Sequence, residues 1–376
     1  ERINGKFEDH VRFSRLARGE KNYVRLEPKN ISRIHLTGGC ILKMSRFNPT
    51  KKESDLRTVV ETLTELGVTH LVTIGGDDTA YSSAAVSDYA RRAGRTINVV
   101  HVPKTIDNDL AITDHTPGYG SAAKYIATIT KEIIADTSVY DMLSIVVLEI
   151  MGRNTGWLTG ATALAKGEDC DGVDLIYFPE VAYSPEEVVR SVREIQKKKK
   201  TVVIAISEGA RDSQGTVYYS ELLSDTMGED AFGHRILSGA GLHLTQYLTK
   251  KLKCKVRHIE LSTLQRCGAH MASRTDVQEA YLVGGAAVKA VFEGNTGCMI
   301  VLRRVSQEPY ICVTDIADVH DIANVERKVP RHWINRAGNH VTQDFIDYAR
   351  PLVMSELSQI MVNGLPGHFT MPEELK

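Results

Sequence analysis

The sequence has no excess of either charge: 46 Lys and Arg stand against 47 Asp and Glu, giving a formal charge of −1. A generic polyanion binder shows a basic surplus, so this balance excludes nucleic acid as an expected partner. No apolar run approaches the roughly 18 residues of a spanning helix, and the longest, such as Leu143 to Ile150, is strand-sized, so no membrane partner is expected. The first residues, Glu1 to Lys6, carry neither an apolar core nor a small-residue cleavage site, and they include no initiator Met. The six cysteines form no CxxC pair and have no neighbouring histidine in a ligand pattern, which excludes a thiolate metal site and favours reduced thiols in the cytoplasm. Internal repeats and low-complexity tracts are also missing. With 42% hydrophobic and 25% charged residues, the chain is an ordinary globular one, long enough for two or three domains.

What is present is alternation. The spacing predicts strands at 70–74, 97–102, 143–150, 201–206, near 255–261 and at 299–302. Helices are predicted at 79–93, 121–135, 157–165, near 236–252, at 276–292 and at 342–362. Ser184-Pro185-Glu186-Glu187 reads as a capping box opening a helix that runs to Lys200, with the Lys197 to Lys200 run in its last turn. Strands joined by helices imply parallel neighbours in a doubly wound α/β fold.

Four polar, mostly glycine-containing turns each follow a predicted strand: Gly75 to Thr79 (GGDDT), Pro103 to Asp109 (PKTIDND), Met151 to Gly156 (MGRNTG) and Ser207 to Gly209. In an open parallel sheet the strand ends share one edge, where ligands bind. Gly75 and Gly76 allow close backbone approach and leave a helix N-terminus for an anion. Asp77 and Asp78 would repel a phosphate unless a hard cation such as Mg²⁺ lies between; taken alone they are equally good helix caps. Lys104 is a point charge suited to phosphate. Asp107 and Asp109 face one side if their segment is extended, and an aspartate beside a substrate hydroxyl serves as a general base. Arg153, Glu208 and Arg266 add donors and an acceptor for a phosphorylated or polyhydroxyl substrate. The residues alone therefore point to a Mg²⁺-dependent phosphotransferase.

These motifs, with Gly38-Gly39 through Ser45-Arg46, SEGA and the Leu264-Gln265-Arg266 segment, occur in the order found in the 6-phosphofructokinase family. The chain resembles most closely its pyrophosphate-dependent branch. The resemblance implies two interleaved domains with the active site between them. Residues 1–120 plus about 265–316 would bind the phosphate donor and Mg²⁺, and residues 121–264 plus about 317–376 would bind fructose 6-phosphate. It further implies Mg²⁺ at Asp77, Asp107 as the base for the 1-hydroxyl, and Thr105 and Asp109 beside it. Met151, Gly152, Arg153, Glu208, Thr263 and Arg266 would bind the sugar phosphate, and Gly75, Gly76, Arg46 and Lys104 the donor. Arg257 resembles an arginine that reaches a neighbouring subunit's 6-phosphate, which implies a homodimer or homotetramer with shared sites.

ATP-dependent relatives carry glycine at the positions of Asp78 and Lys104. Side chains there fill the space a nucleotide would use, so the resemblance implies pyrophosphate as donor in a reversible step of glycolysis and gluconeogenesis. An ATP-dependent enzyme and a non-catalytic sugar-phosphate-binding subunit are the alternatives. The family's first strand and GGxxPG turn, expected some tens of residues before Gly38, are absent from this sequence, and Thr263, Cys267 and Ser144 depart from its usual residues.

Overall fold

The computed structural model describes residues 48–218 and 239–369, together with residues 31 and 34–37. Two four-stranded sheets organise them. One contains β1 (His70–Gly75), β2 (Asn98–Pro103), β7 (Cys298–Gln307) and β8 (Tyr310–Asp318) in the order 1-2-7-8. The other contains β3 (Ser144–Ile150), β4 (Leu175–Tyr177), β5 (Thr201–Ser207) and β6 (Lys255–Glu260) in the order 4-5-3-6. Within these two sheets all pairings are parallel except β7 with β8; a short separate antiparallel pair joins β9 (Met361–Val362) to β10 (Leu365–Pro366). The chain thus builds half of the first sheet, completes the second, and returns to the first.

Side-chain alternation explains the layers of the second sheet. On one face Val146, Leu148, Ile150 and Val203 pack against α3 (Tyr119–Ser138), α4 (Trp157–Ala161) and α9 (Gln343–Ala349). On the other, Ile145, Val147, Val202 and Ile204 meet Val188 and Val192 of α5 (Pro185–Gln196) and Leu244 and Leu248 of α6 (Ala240–Lys251). Each fully buried aliphatic side chain contributes about 1.5–3 kcal/mol relative to exposure. The first sheet is covered by α1 (Glu53–Glu65) and α2 (Asp77–Arg92) on Val99, and by α8 (Arg274–Phe292) on Val100 and Val102.

The expected strands and most helices are present, with corrections. Helix α2 begins at Asp77, so both aspartates lie in its first turn rather than ahead of it. Ser184 caps α5 as expected, its Oγ accepting the Glu187 N–H at 3.2 Å, but the helix ends at Gln196. Lys199 and Lys200 pair instead with Asp174 and Asp141. The expected helix 342–362 stops after seven residues at α9, because Pro351 cannot continue the hydrogen-bond ladder. Helix α1 and strands β4 and β8 were not anticipated.

Candidate active site

The β1 and β2 turns lie side by side because their strands pair in register, Gly75 opposite Pro103, and the Lys104 N–H donates to the Gly75 carbonyl at 2.8 Å. A Cβ on Gly75 would fall 2.2 Å from Thr79 Oγ1, so only glycine lets this strand turn into α2. Asp77 Oδ1 accepts the Asn324 N–H at 2.7 Å, which ties the helix start to the segment after β8.

The β2 turn is not extended. Asn108 is left-handed, with φ of 56°, and fully buried. The Asp107 N–H donates to Thr105 Oγ1 at 3.1 Å, the Asp107 carbonyl accepts the Thr155 hydroxyl at 3.2 Å, and the Asp109 carbonyl accepts the Arg327 N–H at 2.7 Å. A tight turn about Asn108 therefore replaces the extended segment expected here, and Asp107 still acts on Asp109 across it.

From the second sheet, the turns after β3 and β5 pack back to back. The Ser207 hydroxyl donates to the Gly152 carbonyl, and the Gly152 N–H donates to Glu208 Oε1 at 3.2 Å. A Cβ on Gly209 would sit 1.8 Å from the Arg153 carbonyl oxygen, closer than any packing allows. The Met151 N–H faces Gln265 Oε1 at 3.4 Å, which brings the short helix α7 (Leu264–Cys267), with Arg266, to the same edge. Trp157 seats the start of α4 behind this turn. Its ring is fully buried against Phe345 and Tyr348, and its Nε1–H donates to the Arg327 carbonyl at 2.9 Å.

Electrostatics show that the turns of both sheets converge. Burial pushes the Asp107 carboxyl up, opposed by the Thr105 hydroxyl and by the charges of Arg153, Lys104 and Arg266. Asp109 is pushed up to about 7 by burial first, then by Asp107, with Asp77 and Glu326 adding to it. Glu208 reaches about 7 through burial, partly offset by the Gly152 N–H. Together these groups form a recess of acids and guanidiniums, in which the buried Arg153 Nε has no hydrogen-bond partner among the described residues.

Among the described residues no three His, Cys, Asp or Glu side chains converge on one metal position. The crowding of Asp77, Asp107, Asp109 and Glu326 nonetheless fits a hard dication, since Mg²⁺ takes one or two carboxylates and completes its shell with waters and phosphate oxygens.

One expected residue, Arg257, stands apart from this recess. Arg257 on β6 holds Tyr140 Oη at 3.3 Å and Asp136 at 3.6 Å. Thr263 is exposed at the start of α7, where its carbonyl accepts the Arg266 N–H at 3.2 Å. Arg46 lies outside the described residues. Sequence reasoning missed Asn108 as a structural pivot, and also Thr155, Arg327 and Tyr348. Thr155 stands within a recognised turn, but the last two sit in residues 317–376, a stretch assigned to the sugar-phosphate unit with no site residue named in it.

Comparison with known proteins places this geometry. The phosphofructokinase family profile matches residues 13–291. The chain is 40% identical over 294 residues to a pyrophosphate–fructose 6-phosphate 1-phosphotransferase of Halomonas elongata, covering 78% of this chain and 69% of that one. It is 33% identical over 336 residues to the protein of that name from Methylococcus capsulatus, covering 89% and 78%. The crystal structure of a pyrophosphate-dependent phosphofructokinase from Marinobacter aquaeolei superposes with a TM-score of 0.81 at 30% identity, over 93% of this chain and 83% of that one. On the family match and these likenesses, the chain belongs to the phosphofructokinase family.

Proposed function

We propose that the protein transfers a phosphoryl group reversibly from pyrophosphate to the 1-hydroxyl of fructose 6-phosphate, releasing orthophosphate and fructose 1,6-bisphosphate. The observation that carries this reading is the meeting of Asp107 with Lys104, Arg153 and Arg266, a carboxylate facing three cations from turns on both sheets and α7. The names of relatives at 33–40% identity agree with it.

Asp107 takes the proton of the attacking hydroxyl, with Thr105 bonded to it and Asp109 beyond the Asn108 turn. Lys104 and the backbone of Gly75 and Gly76, with Arg46, hold the donor. Asp78 stands in the first turn of α2, where a longer nucleotide would pass. Arg153 and Arg266, with Met151, Gly152, Thr263 and Glu208, bind the sugar phosphate. Asp77 would hold Mg²⁺, which when bound neutralises charge on the donor's phosphate oxygens. The protein's own task is to align hydroxyl and phosphorus and exclude water. Arg257, turned away from the recess within its own chain, is assigned to a neighbouring subunit's 6-phosphate in a homodimer or homotetramer. Among the described residues no helix is long and apolar enough to cross a membrane. The reduced thiols expected from the spacing of the six cysteines support a cytoplasmic enzyme. The return of β7 and β8 to the first sheet supports a donor unit of residues 1–120 plus about 265–316 and a sugar unit of 121–264 plus about 317–376.

Fructose 1,6-bisphosphate formation with pyrophosphate or ATP as sole donor tests the reading. Turnover with pyrophosphate and little with ATP is expected. Turnover with ATP alone overturns the donor, and fructose 6-phosphate binding without turnover from either overturns catalysis.

A further inference from the structure

We propose that Asn108 and Tyr348 form a positioning pair that sets the catalytic aspartate turn, a role that rests on the proposed reaction but touches neither substrate. A left-handed residue between two aspartates is costly unless something fixes it, and asparagine bears that conformation better than most. Here the side chain is fully buried and both its polar ends are used. The Thr116 N–H, which can only donate, lies 3.0 Å from Asn108 Oδ1, so the amide's Nδ2 faces Tyr348 Oη at 2.8 Å. The Tyr348 hydroxyl in turn donates to the Asp114 carbonyl at 2.8 Å. Its lone pair and its proton are thus both committed, and the direction of the chain from Asn108 to Tyr348 to Asp114 is set.

Tyr348 is itself immobilised. Its ring is buried 5.2 Å from Trp157 and 5.0 Å from Trp333, with the Arg304 guanidinium 4.8 Å above it. Arg304 is held in place by Asp114, at 2.9 Å, and by the Tyr348 carbonyl at 3.0 Å. A residue of α9, some 240 positions from the turn, is therefore the post against which the turn is braced. Thr155 and Arg327 fix the carbonyls of Asp107 and Asp109 on either side. Without the central brace the two carboxylates are free to rotate about a turn held only at its ends. Such a defect lowers turnover and leaves substrate affinity alone, because alignment matters most in the transition state.

The test compares Tyr348→Phe and Asn108→Gly with the unaltered enzyme. Phenylalanine keeps the ring packing and deletes one hydroxyl, while glycine keeps the left-handed backbone and deletes the brace. Each is expected to lower kcat about 10- to 100-fold with KM for fructose 6-phosphate and pyrophosphate within about threefold. The double variant should be no worse than the poorer single one, as for residues acting as a unit. Hydrogen exchange of residues 104–110 should quicken at least about tenfold in both, a readout that needs no donor and no turnover. Full kcat in folded Tyr348→Phe, a raised KM at unchanged kcat, or unaltered exchange overturns the positioning role. An unaltered enzyme idle with pyrophosphate overturns the proposed reaction instead, and the exchange result still decides the brace.

Discussion

His101 provides the sharpest prediction about stability. It is fully buried on β2, with its Nε2–H donating to the Gly75 carbonyl at 3.2 Å and its Nδ1 2.9 Å from the Thr73 hydroxyl. Burial lowers its pKa from 6.5 to about 4; the Gly75 hydrogen bond opposes this and the charge of Lys104 adds to it. A folded pKa below the unfolded one means that the contribution is complete above pH 6.5 and is lost as pH falls toward 4, where the unfolded chain takes up a proton that the native protein refuses. At about 1.4 kcal/mol per pH unit the whole window is worth about 3 kcal/mol, of which about 2 kcal/mol falls between pH 7 and pH 5. Urea unfolding across that range, on the unaltered protein and on His101→Gln, measures it. The expected outcome is a steeper loss in the unaltered protein, the two curves diverging by about 2 kcal/mol at pH 5 relative to pH 7. Parallel curves would refute the buried neutral imidazole.

The remaining predictions concern the recess and its support. Lys104→Gly should cut pyrophosphate-dependent turnover by a factor corresponding to about 2–4 kcal/mol of lost transition-state contact, and unchanged turnover removes Lys104 from the donor site. Glu208, raised to about 7, contributes stability that is complete below pH 4.5 and lost as pH rises through 7. Glu208→Gln should therefore gain up to about 3 kcal/mol on the unaltered protein between pH 4.5 and pH 8, and a constant difference in unfolding free energy would show that Glu208 is not held neutral. Phe345 is fully buried against Trp157 and Trp333, and its ring would lie 2.6 Å from a Cβ on Gly160. Phe345→Ala should cost about 3–5 kcal/mol in chemical denaturation, and a cost below about 1 kcal/mol would mean that the core closes over the gap.

How far the structure was legible depended on the range of the interactions. Strand β3 was readable because an interior parallel strand is buried on both faces and reads as a mostly apolar run, here broken only by Ser144 and Glu149, with every residue from Ser144 to Ile150 buried. Helix α1 carries a readable signal in Leu56, Val59, Val60 and Leu63, all on its buried side. Strand β4 has only three residues, too few to show a period, and β8 is mostly half-exposed, so its apolar residues do not alternate cleanly. The strand-end turns announced the site because topology obliges them to share an edge. The partners that shape those turns did not, since Tyr348, Arg327 and Asn324 meet them across 170 to 247 residues of chain.

The Asn108 turn shows why that distant support bears on chemistry. In an extended strand Asp107 and Asp109 would share one environment and titrate alike. Turned about a left-handed residue, Asp107 faces Lys104, Arg153 and Arg266, whereas Asp109 faces Asp77 and Glu326 as well as Asp107 itself. Burial raises both, but the cations restrain Asp107 and the anions drive Asp109 further. Two carboxylates two residues apart thus acquire opposite electrostatic surroundings, the condition under which a fold can give one acid the work of a base and keep the other protonated near neutrality. A dication at Asp77 would lower Asp109 more than Asp107, because Asp77 acts directly on Asp109. Metal binding and proton release are then coupled through the turn, and isothermal titration of Mg²⁺ in buffers of differing ionisation enthalpy should detect protons released near pH 7 that are absent in Asp109→Asn. Equal proton release in that variant would locate the coupled group elsewhere.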